Sequence, residues 1–426
     1  MAKVRFQDVA ILDIGSSKIS CLVASRSSVG DLRVVGYGNQ LSQGIGRNSV
    51  ISDIVALEQS IVKAVSVTEK NSGKSIDKVF VNISGNMLNS KIQMIEFDIS
   101  NGEVQERDLI KIKRDAYYRY STNDIEVIQA IPVNYEIDGI PGIGNPSHMY
   151  GQRLKAYLNV VTISRSAKRN LLNCLSRSHL NVLGIIPSAY ASSIACVSRE
   201  ESLGGAVLID IGDQNTDIAI YLDGKMHYIC SIPIGGFLIT RDIQQLFTLS
   251  AKEAERLKVI YGSVFPDNRD KKGNMDLFDN INDEDFGNYI QKHKLSEIIY
   301  DRMREIFIFI QKYLNQDPEV AKLFQRAKLS VSITGGGANL VGIEQLAQNI
   351  FKTRVTVKAP NDFTNITEAH NDPAYSTLYG MLKIAEQYHH ANLHELVLFE
   401  EELNLFKFIR DNMTKTRFYS IIDKYF

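Results

Sequence analysis

The feature that most constrains the fold of this chain is a pattern that occurs twice, an apolar strand ending in Asp-Ile-Gly. Residues 9–20 read VAILDIGSSKIS, and residues 206–220 read AVLIDIGDQNTDIAI. Each copy opens a run of three short β-rich segments separated by turns, and a helical pattern follows each run. The sequence therefore predicts a structural repeat, whose halves match in sequence only at the first strand and its turn.

The length and composition of the chain limit its class. At 426 residues it exceeds the usual size of a single hydrophobic core, so two or more domains are expected. The apolar fraction of 44% and the charged fraction of 23% are typical of a globular protein. The 48 basic residues nearly balance the 49 acidic ones, which argues against nucleic acid as a partner. The four cysteines show no CxxC spacing, which argues against a metal cluster or a disulfide framework and favours a reducing cytoplasm.

Residues 178–198 contain no Asp, Glu, Lys or Arg, so this stretch must be weighed as a membrane span. Its five serines and Pro187 fit poorly in hydrocarbon, and the sequence therefore predicts a buried turn and helix instead. Asp8 and Asp13 interrupt the apolar residues where a signal peptide would need an unbroken run. We therefore expect a chain that is not exported and that does not cross a bilayer.

Two stretches interrupt the repeated pattern. Residues 86–163 combine strand-like segments with the charged helical pattern QERDLIKIKRDAYYRY, which predicts a small inserted α/β subdomain. A second insert follows the helices of the second half, and its residues 266–289 are polar and rich in turn formers. An amphipathic helix then begins near Lys294 and is expected to end at the Asp317-Pro318 step.

The repeated Asp-Ile-Gly turn has a chemistry of its own. A strand that ends in a carboxylate and enters a Gly-containing turn presents backbone N–H groups to an anion, while the carboxylate holds a hydrated divalent cation nearby. A third glycine turn occurs in residues 328–351, where an apolar strand is followed by three glycines and a helix. The three glycines permit close backbone approach, and the helix N-terminus favours a phosphate or sugar oxygen. Together the three turns favour phosphate binding over structural turns alone.

These three turns resemble the two phosphate loops and the adenosine loop of the actin, Hsp70 and sugar-kinase ATPase superfamily. The segments GYGNQLSQGIGRNSVISD, GIGNPSHMYGQRLKAYLNVVT and EAERLKVIYG, with the final KYF, narrow the resemblance to the FtsA family of bacterial cell-division proteins. The resemblance implies an α/β, actin-like fold in which two RNase H-like lobes flank a nucleotide cleft. It also implies a small α/β subdomain inserted in the first lobe and a helical/β insert in the second.

The same resemblance implies a division of the chain into subdomains. The first lobe takes residues 1–85, 164–203 and 355–385, and its insert takes residues 86–163. The second lobe takes residues 204–253 and 329–354, and its insert takes residues 254–328. A linker over residues 386–402 then leads to an amphipathic tail over residues 403–426.

The resemblance implies that ATP and Mg²⁺ bind in the cleft. The residues expected to contact the nucleotide are Asp13, Gly15, Ser16, Ser17 and Lys18 in loop one, Asp210, Gly212 and Asn215 in loop two, and Gly335, Gly336 and Gly337 in the adenosine loop. Lys18 is expected to face the terminal phosphates, and Asp13 and Asp210 to hold Mg²⁺ through water. Glu255 and Lys258 match the contacts to ribose and adenine, although their spacing alone favours an ordinary i,i+3 salt bridge.

Loop two departs from the superfamily pattern Asp-x-Gly-Gly-Gly-Thr-x-Asp. Asp213 and Gln214 replace two glycines, and Asn215 stands where the pattern has Thr and could still donate a hydrogen bond. A carboxylate beside a triphosphate costs Coulomb energy unless it turns away or joins the shell of the cation. We therefore expect nucleotide binding with slow or absent hydrolysis, and the sequence nominates no catalytic residue. A phosphotransferase of the same superfamily and a pilus-assembly relative are the alternative functions.

The C-terminal segment carries the pattern of a membrane-surface helix. Phe418, Ile421, Ile422 and Tyr425 share one helical face, and Lys415, Arg417 and Lys424 supply positive charge for anionic headgroups. On these residues alone the alternative is a helix that docks on the protein's own core. The resemblance implies a peripheral protein on the cytoplasmic face of the inner membrane at the division site. It would form filaments, bind anionic lipids, anchor the ring of the tubulin-like protein FtsZ, and help recruit later division proteins.

Overall fold

The structure is a computed structural model that describes residues 8–26, 32–85, 88–265, 280–281, 290–327, 330–360 and 371–390. The strands, in chain order, are β1 Asp8–Ile14, β2 Lys18–Arg26, β3 Leu32–Leu41, β4 Lys78–Ile83, β5 Asn89–Asp98, β6 Ile125–Ile137, β7 Ile140–Ile143, β8 Arg153–Ser164, β9 Asn181–Pro187, β10 Ala206–Ile211, β11 Thr216–Leu222, β12 Lys225–Ile232, β13 Asn280–Ile281, β14 Ile290–Gln291, β15 Val331–Thr334 and β16 Val355–Val357. The helices are α1 Ile54–Ser72, α2 Glu106–Tyr120, α3 Arg165–Arg177, α4 Ser188–Cys196, α5 Arg199–Gly204, α6 Phe237–Phe247, α7 Ala251–Tyr261, α8 Lys292–Leu314, α9 Pro318–Ala327, α10 Ile343–Phe351 and α11 Ser376–His390.

The two lobes repeat one sheet topology. In the first lobe the described strands follow the order β3-β2-β1-β4-β9, with β1, β2 and β3 antiparallel and β1, β4 and β9 parallel. In the second lobe the strands β12-β11-β10-β15-β16 repeat this order with the same directions. The predicted repeat is therefore a repeat of whole lobes. The structure confirms the predicted actin-like, two-lobed α/β class.

Helix α1 shows how local sequence signals set an element. The Asp53 side chain accepts hydrogen bonds from the N–H groups of Val55 and Ala56, which satisfies donors that the first turn leaves free. Gly73 ends the helix in the left-handed conformation. Leu57, Ile61 and other residues at helical spacing are buried in the first core cluster. The helical pattern expected after the first run of strands is thus confirmed.

The inserted subdomain has a hydrophobic core of its own between α2 and the sheet of β5, β6 and β8. Its sheet continues the sheet of the second lobe, because β5 pairs with β12 at Asn89 and Cys230. Side chains complete this junction: the N–H of Ile229 donates to Ser90 Oγ at 2.7 Å, and Asn159 Nδ2 donates to the Met226 carbonyl at 3.3 Å. We expected this subdomain to be an insert in the first lobe. In the structure, its sheet is joined to the sheet of the second lobe.

Strand β16 corrects one expected boundary. Residues 355–357 were assigned to the first lobe, but β16 pairs in parallel with β15 and forms the edge of the second-lobe sheet. The physical reason is that Val355 completes the second hydrophobic core beside Phe351. The chain returns to the first lobe only after this strand, at α11, which packs against α4.

The uncharged stretch at residues 178–198 forms β9 and then α4. We expected a buried turn and a helix, and the turn is instead a strand that pairs with β4 over Lys78–Ile83. Residues 184–193 are buried in protein. In the part of the chain that the structure describes, no helix combines the length and apolarity needed to cross a bilayer.

Helix α8 confirms the amphipathic helix predicted in the second insert. It begins at Lys292 and ends at Leu314, slightly before the expected Asp317-Pro318 step, and Pro318 opens α9 instead. Most of the polar stretch 266–289 lies outside the described residues, as do the tail 403–426 and most of the linker 386–402. The expected membrane-facing residues, from Lys415 to Tyr425, therefore remain predictions.

Candidate functional site

A cleft of about 520 Å³ collects residues of both lobes. Its lining includes every residue that we expected to contact a nucleotide or a cation: Asp13, Gly15, Ser16, Ser17, Lys18, Asp210, Gly212, Asn215, Glu255, Lys258, Gly335, Gly336 and Gly337. Residues more than 300 positions apart in the chain thus meet in one cavity. The cleft has room for a small molecule of nucleotide size.

Two equivalent hairpins form opposite parts of this cleft. In the first, between β1 and β2, the N–H of Gly15 donates to the Lys18 carbonyl at 3.0 Å. In the second, between β10 and β11, the N–H of Gly212 donates to the Asn215 carbonyl at 2.9 Å. The hairpins also touch, since the N–H of Gln214 donates to Ser16 Oγ at 3.2 Å.

The third loop follows β15, and its three glycines have different roles. Gly335 has a φ of +84°, and a Cβ there would collide with the Asp210 carboxylate. A Cβ at Gly337 would collide with the side chain of Ile211. A Cβ at Gly336 would meet no atom within 4 Å, and Gly336 lines the cavity. Gly335 and Gly337 therefore allow the loop to pack on the second hairpin, and Gly336 keeps space in the cleft open.

Three carboxyl groups lie together in the cleft, where Asp210 and Asp217 are buried and Asp13 is half-buried. Burial, opposed by Lys18 and reinforced by Asp210, raises the pKa of Asp13 to about 7. Burial raises the pKa of Asp210 to about 6, although hydrogen bonds from Ser192 and Thr377 oppose the shift. Burial and then the charge of Asp210 raise the pKa of Asp217 to about 7. The three groups thus form a site where negative charge is poorly stabilised by the protein alone.

Asn82 fixes the Asp13 carboxylate. Its Nδ2 donates to Asp13 Oδ1 at 2.7 Å, and its Oδ1 accepts from the N–H of Ile14 at 2.7 Å. The same Nδ2 lies 3.1 Å from Ser188 Oγ, at the start of α4. Asn82 therefore holds the carboxylate and the first hairpin in one geometry from the end of β4.

Lys18 is the cation of the first hairpin. Burial lowers the pKa of its ammonium group, and the charges of Asp13 and Asp372 oppose that shift. Its Nζ lies 3.7 Å from the ring centroid of Tyr375, which is within the range of a cation–π contact. The side chain lines the cleft, so it offers a positive charge to an anion bound there.

Glu255 and Lys258 form the i,i+3 salt bridge that their spacing favours, with 2.7 Å between Oε2 and Nζ. Lys258 Nζ also donates to the Gly236 carbonyl at 3.2 Å and to Thr240 Oγ1 at 2.9 Å. Asp213 lies beside this pair: burial raises the pKa of its carboxyl group, which Lys258 opposes and Glu255 reinforces. The carboxylate that replaces a superfamily glycine thus has an ammonium group among its neighbours.

Several residues that line the cleft were not identified from the sequence: Asn82, Ser84, Ser188, Asp217 and Thr377. Thr377 Oγ1 donates to Asp210 Oδ2 at 3.2 Å from the start of α11, and Ser84 Oγ donates to both carboxylate oxygens of Asp217. Asp217 had a usable signal, because it ends the superfamily pattern of loop two. The others are single polar residues at strand or helix ends, without a spacing that marks them.

Comparisons with known proteins agree with this geometry. A family model described as cell division protein FtsA matches residues 207–380, and a model described as the SHS2 domain inserted in FtsA matches residues 85–162. Among curated proteins, cell division protein FtsA of Borreliella burgdorferi is 31% identical over 376 residues, covering 87% of this chain and 89% of that protein. The chain belongs to the FtsA family. The FtsA proteins of Rhizobium meliloti and Escherichia coli are 29% and 27% identical and cover 88% and 89% of the chain.

Solved structures place the FtsA-family chain among actin-like folds. The PilM-PilN type IV pilus biogenesis complex matches with a TM-score of 0.62 at 15% identity, covering 88% of this chain and 97% of that chain. MreB5 of Spiroplasma citri bound to ADP matches with a TM-score of 0.52 at 14% identity, covering 90% and 97%. At these identities the likeness shows the fold alone. Membership of the FtsA family makes the chain an actin-like cell-division protein.

Proposed function

We propose that the cleft binds ATP together with Mg²⁺ and that the chain works as a nucleotide-binding adaptor in cell division. The observation that carries this proposal is the convergence of three glycine-containing loops from three parts of the chain on one cavity. The first hairpin offers backbone N–H groups, hydroxyls and the Lys18 ammonium group to phosphates. Glu255 and Lys258 offer polar groups to ribose and adenine at the other end.

The carboxylates of the cleft fit a divalent cation held through water. Asp210 and Asp217 are buried and Asp13 is half-buried, and desolvation raises the pKa of each. A cation in this position would offset the desolvation that raises these values. Among the described residues no group of three His, Cys, Asp or Glu side chains could ligate a metal directly. Because Mg²⁺ usually keeps several of its own waters, we propose that Asp13 and Asp210 hold it through water molecules.

Slow or absent hydrolysis follows from the second hairpin. Asp213 brings a carboxylate to the loop, and Gln214 brings a side chain where the superfamily has glycine. Both narrow the approach of a triphosphate to the backbone of this hairpin. We therefore propose that nucleotide binding, rather than turnover, sets the state of the protein. A burst of phosphate release at rates typical of kinases would contradict this part of the proposal.

The test of nucleotide binding is the melting temperature of the full chain with and without ATP and Mg²⁺. At a thousandfold excess over the dissociation constant, binding should stabilise the fold by about 4 kcal/mol. Gly336→Leu should abolish this stabilisation, because its side chain occupies the cleft from a position where a Cβ meets no atom within 4 Å. Gly144→Leu is the matched control, since a Cβ at Gly144 also meets open space, in the insert. No shift in the unaltered chain would sink the proposal.

We further propose that the C-terminal tail binds the membrane surface. Support comes from the sequence: one helical face carries Phe418, Ile421, Ile422 and Tyr425, and three basic residues flank it. A helix this short binds reversibly, and filaments would strengthen binding because many weak anchors act together. Ile421→Glu should release the protein from anionic liposomes in co-sedimentation while ATP binding persists. Retained sedimentation after deletion of residues 403–426 would contradict the anchor.

The partners proposed for the chain are FtsZ and further copies of itself. Family membership supports both, and the residues of the second insert, 254–328, are the proposed FtsZ contact. Helix α8 has an exposed face in this insert, which carries Glu297, Asp301 and Arg304. Binding of a peptide from the FtsZ tail should fall when residues on this face are replaced. Unchanged binding would mean that the FtsZ tail does not contact this face of α8.

A further inference from the structure

A cluster of polar contacts joins the second hairpin to two loops of the first lobe. We call it the interlobe cluster; it consists of Ser49, Ser84 and Gly85 from the first lobe and Asn215, Asp217 and Ser231 from the second. Asn215 is only 5% exposed. Its amide lies 2.6 Å from Ser49 Oγ and 3.3 Å from Ser84 Oγ.

In one orientation, both the oxygen and the nitrogen of the Asn215 amide have protein partners. With Oδ1 towards the first lobe, it accepts from Ser49 Oγ at 2.6 Å, and it lies 3.2 Å from the N–H of Gly85, which it shares with the nearer acceptor Ser231 Oγ. Its Nδ2 then donates to the Gln214 carbonyl at 3.2 Å. This orientation is assigned from the hydrogen-bond network, because it gives each end of the amide a partner of the right kind. Asn215 thus faces the first lobe with both ends of its amide engaged.

The first-lobe loop that Asn215 contacts is strained. Asn48 and Ser49 are consecutive residues with φ values of 58° and 53°, in the left-handed region that residues with a Cβ rarely occupy. The turn is closed by the N–H of Gly46, which donates to the Val50 carbonyl at 2.8 Å. Gly85 packs against it so closely that a Cβ there would lie 2.9 Å from the Asn48 carbonyl oxygen. Such backbone persists only where its surroundings hold it in place.

The other contacts of the interlobe cluster join the same two lobes. Ser84 Oγ donates to the two carboxylate oxygens of Asp217 at 2.8 and 2.7 Å. The N–H of Gly85 donates to Ser231 Oγ at 2.9 Å. Ser84 and Gly85 follow β4 directly, so the end of this central strand is fixed to β11 and β12. The strained loop and the end of β4 therefore share one set of second-lobe partners.

We propose that Asn215 is a positioning residue that ties the second hairpin to the loop over residues 46–50, and that it is not a phosphate contact. Its amide holds Asn48 and Ser49 in the left-handed conformation and joins the lobes at the cleft. Opening the cleft must then break this bond and release the loop. The inference concerns the geometry of the cleft and stands apart from the identity of the bound ligand.

The test is hydrogen exchange, followed by mass spectrometry, on the full chain without nucleotide. Asn215→Ala should speed exchange in residues 46–50 about fivefold, the effect of losing one hydrogen bond of ordinary strength. Asn339→Ala is the matched control: Asn339 also lines the cleft, but its Nδ2 donates to Asp372. In the Asn339→Ala variant, hydrogen exchange in residues 46–50 should equal that of the unaltered chain. Unchanged exchange in Asn215→Ala, or faster exchange spread evenly over both lobes, would overturn the proposal.

A double-mutant cycle separates a tie between two residues from a general structural role. Ser49→Ala should also speed exchange in residues 46–50, because it removes the bond to Asn215 from the other side. The double variant should then exchange no faster than Asn215→Ala alone, since contacting partners are not additive. Additive effects of the two changes would overturn the proposal. Ser49→Ala also tests it alone if Asn215→Ala fails to fold.

Discussion

The two hairpins of the cleft share a backbone and differ in their side chains. Each turn begins with a glycine whose N–H donates to the carbonyl three residues later. The strands pair in the same register, with Asp13 opposite Ser20 in the first hairpin and Asp210 opposite Asp217 in the second. By this register Lys18 and Asn215 occupy equivalent positions. One presents an ammonium group to the cleft, and the other contacts the opposite lobe.

The difference shows that a repeated backbone does not assign a repeated role. The turn places a side chain at its fourth residue in both hairpins, and the chemistry of that residue decides what the hairpin does. A lysine can balance the charge of an anion, whereas the Asn215 amide bonds to Ser49 in the opposite lobe and to the Gln214 carbonyl. We therefore treat the first hairpin as the proposed phosphate loop and the second as a joint between the lobes.

The largest effect should separate Lys18 from Asn215. Lys18→Ala should weaken ATP binding about tenfold to a hundredfold, because a charge-assisted hydrogen bond contributes about 1.5–3 kcal/mol. Asn215→Ala should weaken it less than about threefold, since its amide bonds to the protein. Titration calorimetry with ATP and Mg²⁺ measures both. Lys18→Arg, which keeps the charge, is the control, and equal losses at the two positions would erase the distinction between the hairpins.

An intermediate effect should come from restoring a superfamily glycine. Asp213→Gly should tighten ATP binding by about fivefold, because it removes a negative charge near the phosphates that costs about 1 kcal/mol in a partly solvated site. Gln214→Gly removes a neighbouring uncharged side chain and should change affinity less. The same calorimetric titration compares the two variants. Weaker binding in Asp213→Gly would show that this carboxylate assists the ligand.

The smallest effect concerns the pair of carboxylates opposite each other in the second hairpin. Asp217→Asn should stabilise the ligand-free chain by about 0.5–1 kcal/mol, because like charges directly opposite across two strands destabilise a sheet. The asparagine carbonyl still accepts from Ser84. Urea unfolding without divalent cations measures the change. Asp217→Ala, which also removes the acceptor for Ser84, should be less stable than Asp217→Asn, and the reverse order would contradict this account.

Much of the fold could be predicted from the sequence, because its signals are local. The Asp-Ile-Gly pattern predicted a structural repeat with a helix after each run of strands, and the resemblance to the FtsA family implied the two lobes. The three-residue strand β16 and the pairing of β5 with β12 gave no comparable signal, because a sheet edge selects its neighbour through backbone groups that every residue carries. Their places follow from the packing of the whole domain.

The candidate site divides in the same way. Residues in the three glycine turns were predicted from the motifs, and all of them line one cavity. The polar partners that orient these residues were not predicted. Ser84 and Asp217, for example, are 133 residues apart, and only the tertiary fold brings them together. The role of Asn215 also depends on Ser49, which belongs to the opposite lobe. A motif identifies the residues of a turn, and the fold determines what each one contacts.

The most direct test of the account is an experimental structure of the full chain with Mg²⁺ and a non-hydrolysable ATP analogue, at a resolution that places the phosphates. The account predicts the phosphate chain on the backbone of Gly15–Lys18, with the Lys18 ammonium group beside the terminal phosphate. It also predicts that Gly336 lies against the nucleoside and that the Asn215 amide stays on Ser49. Phosphates bound by the Asn215 amide, or a nucleotide outside this cleft, would contradict it.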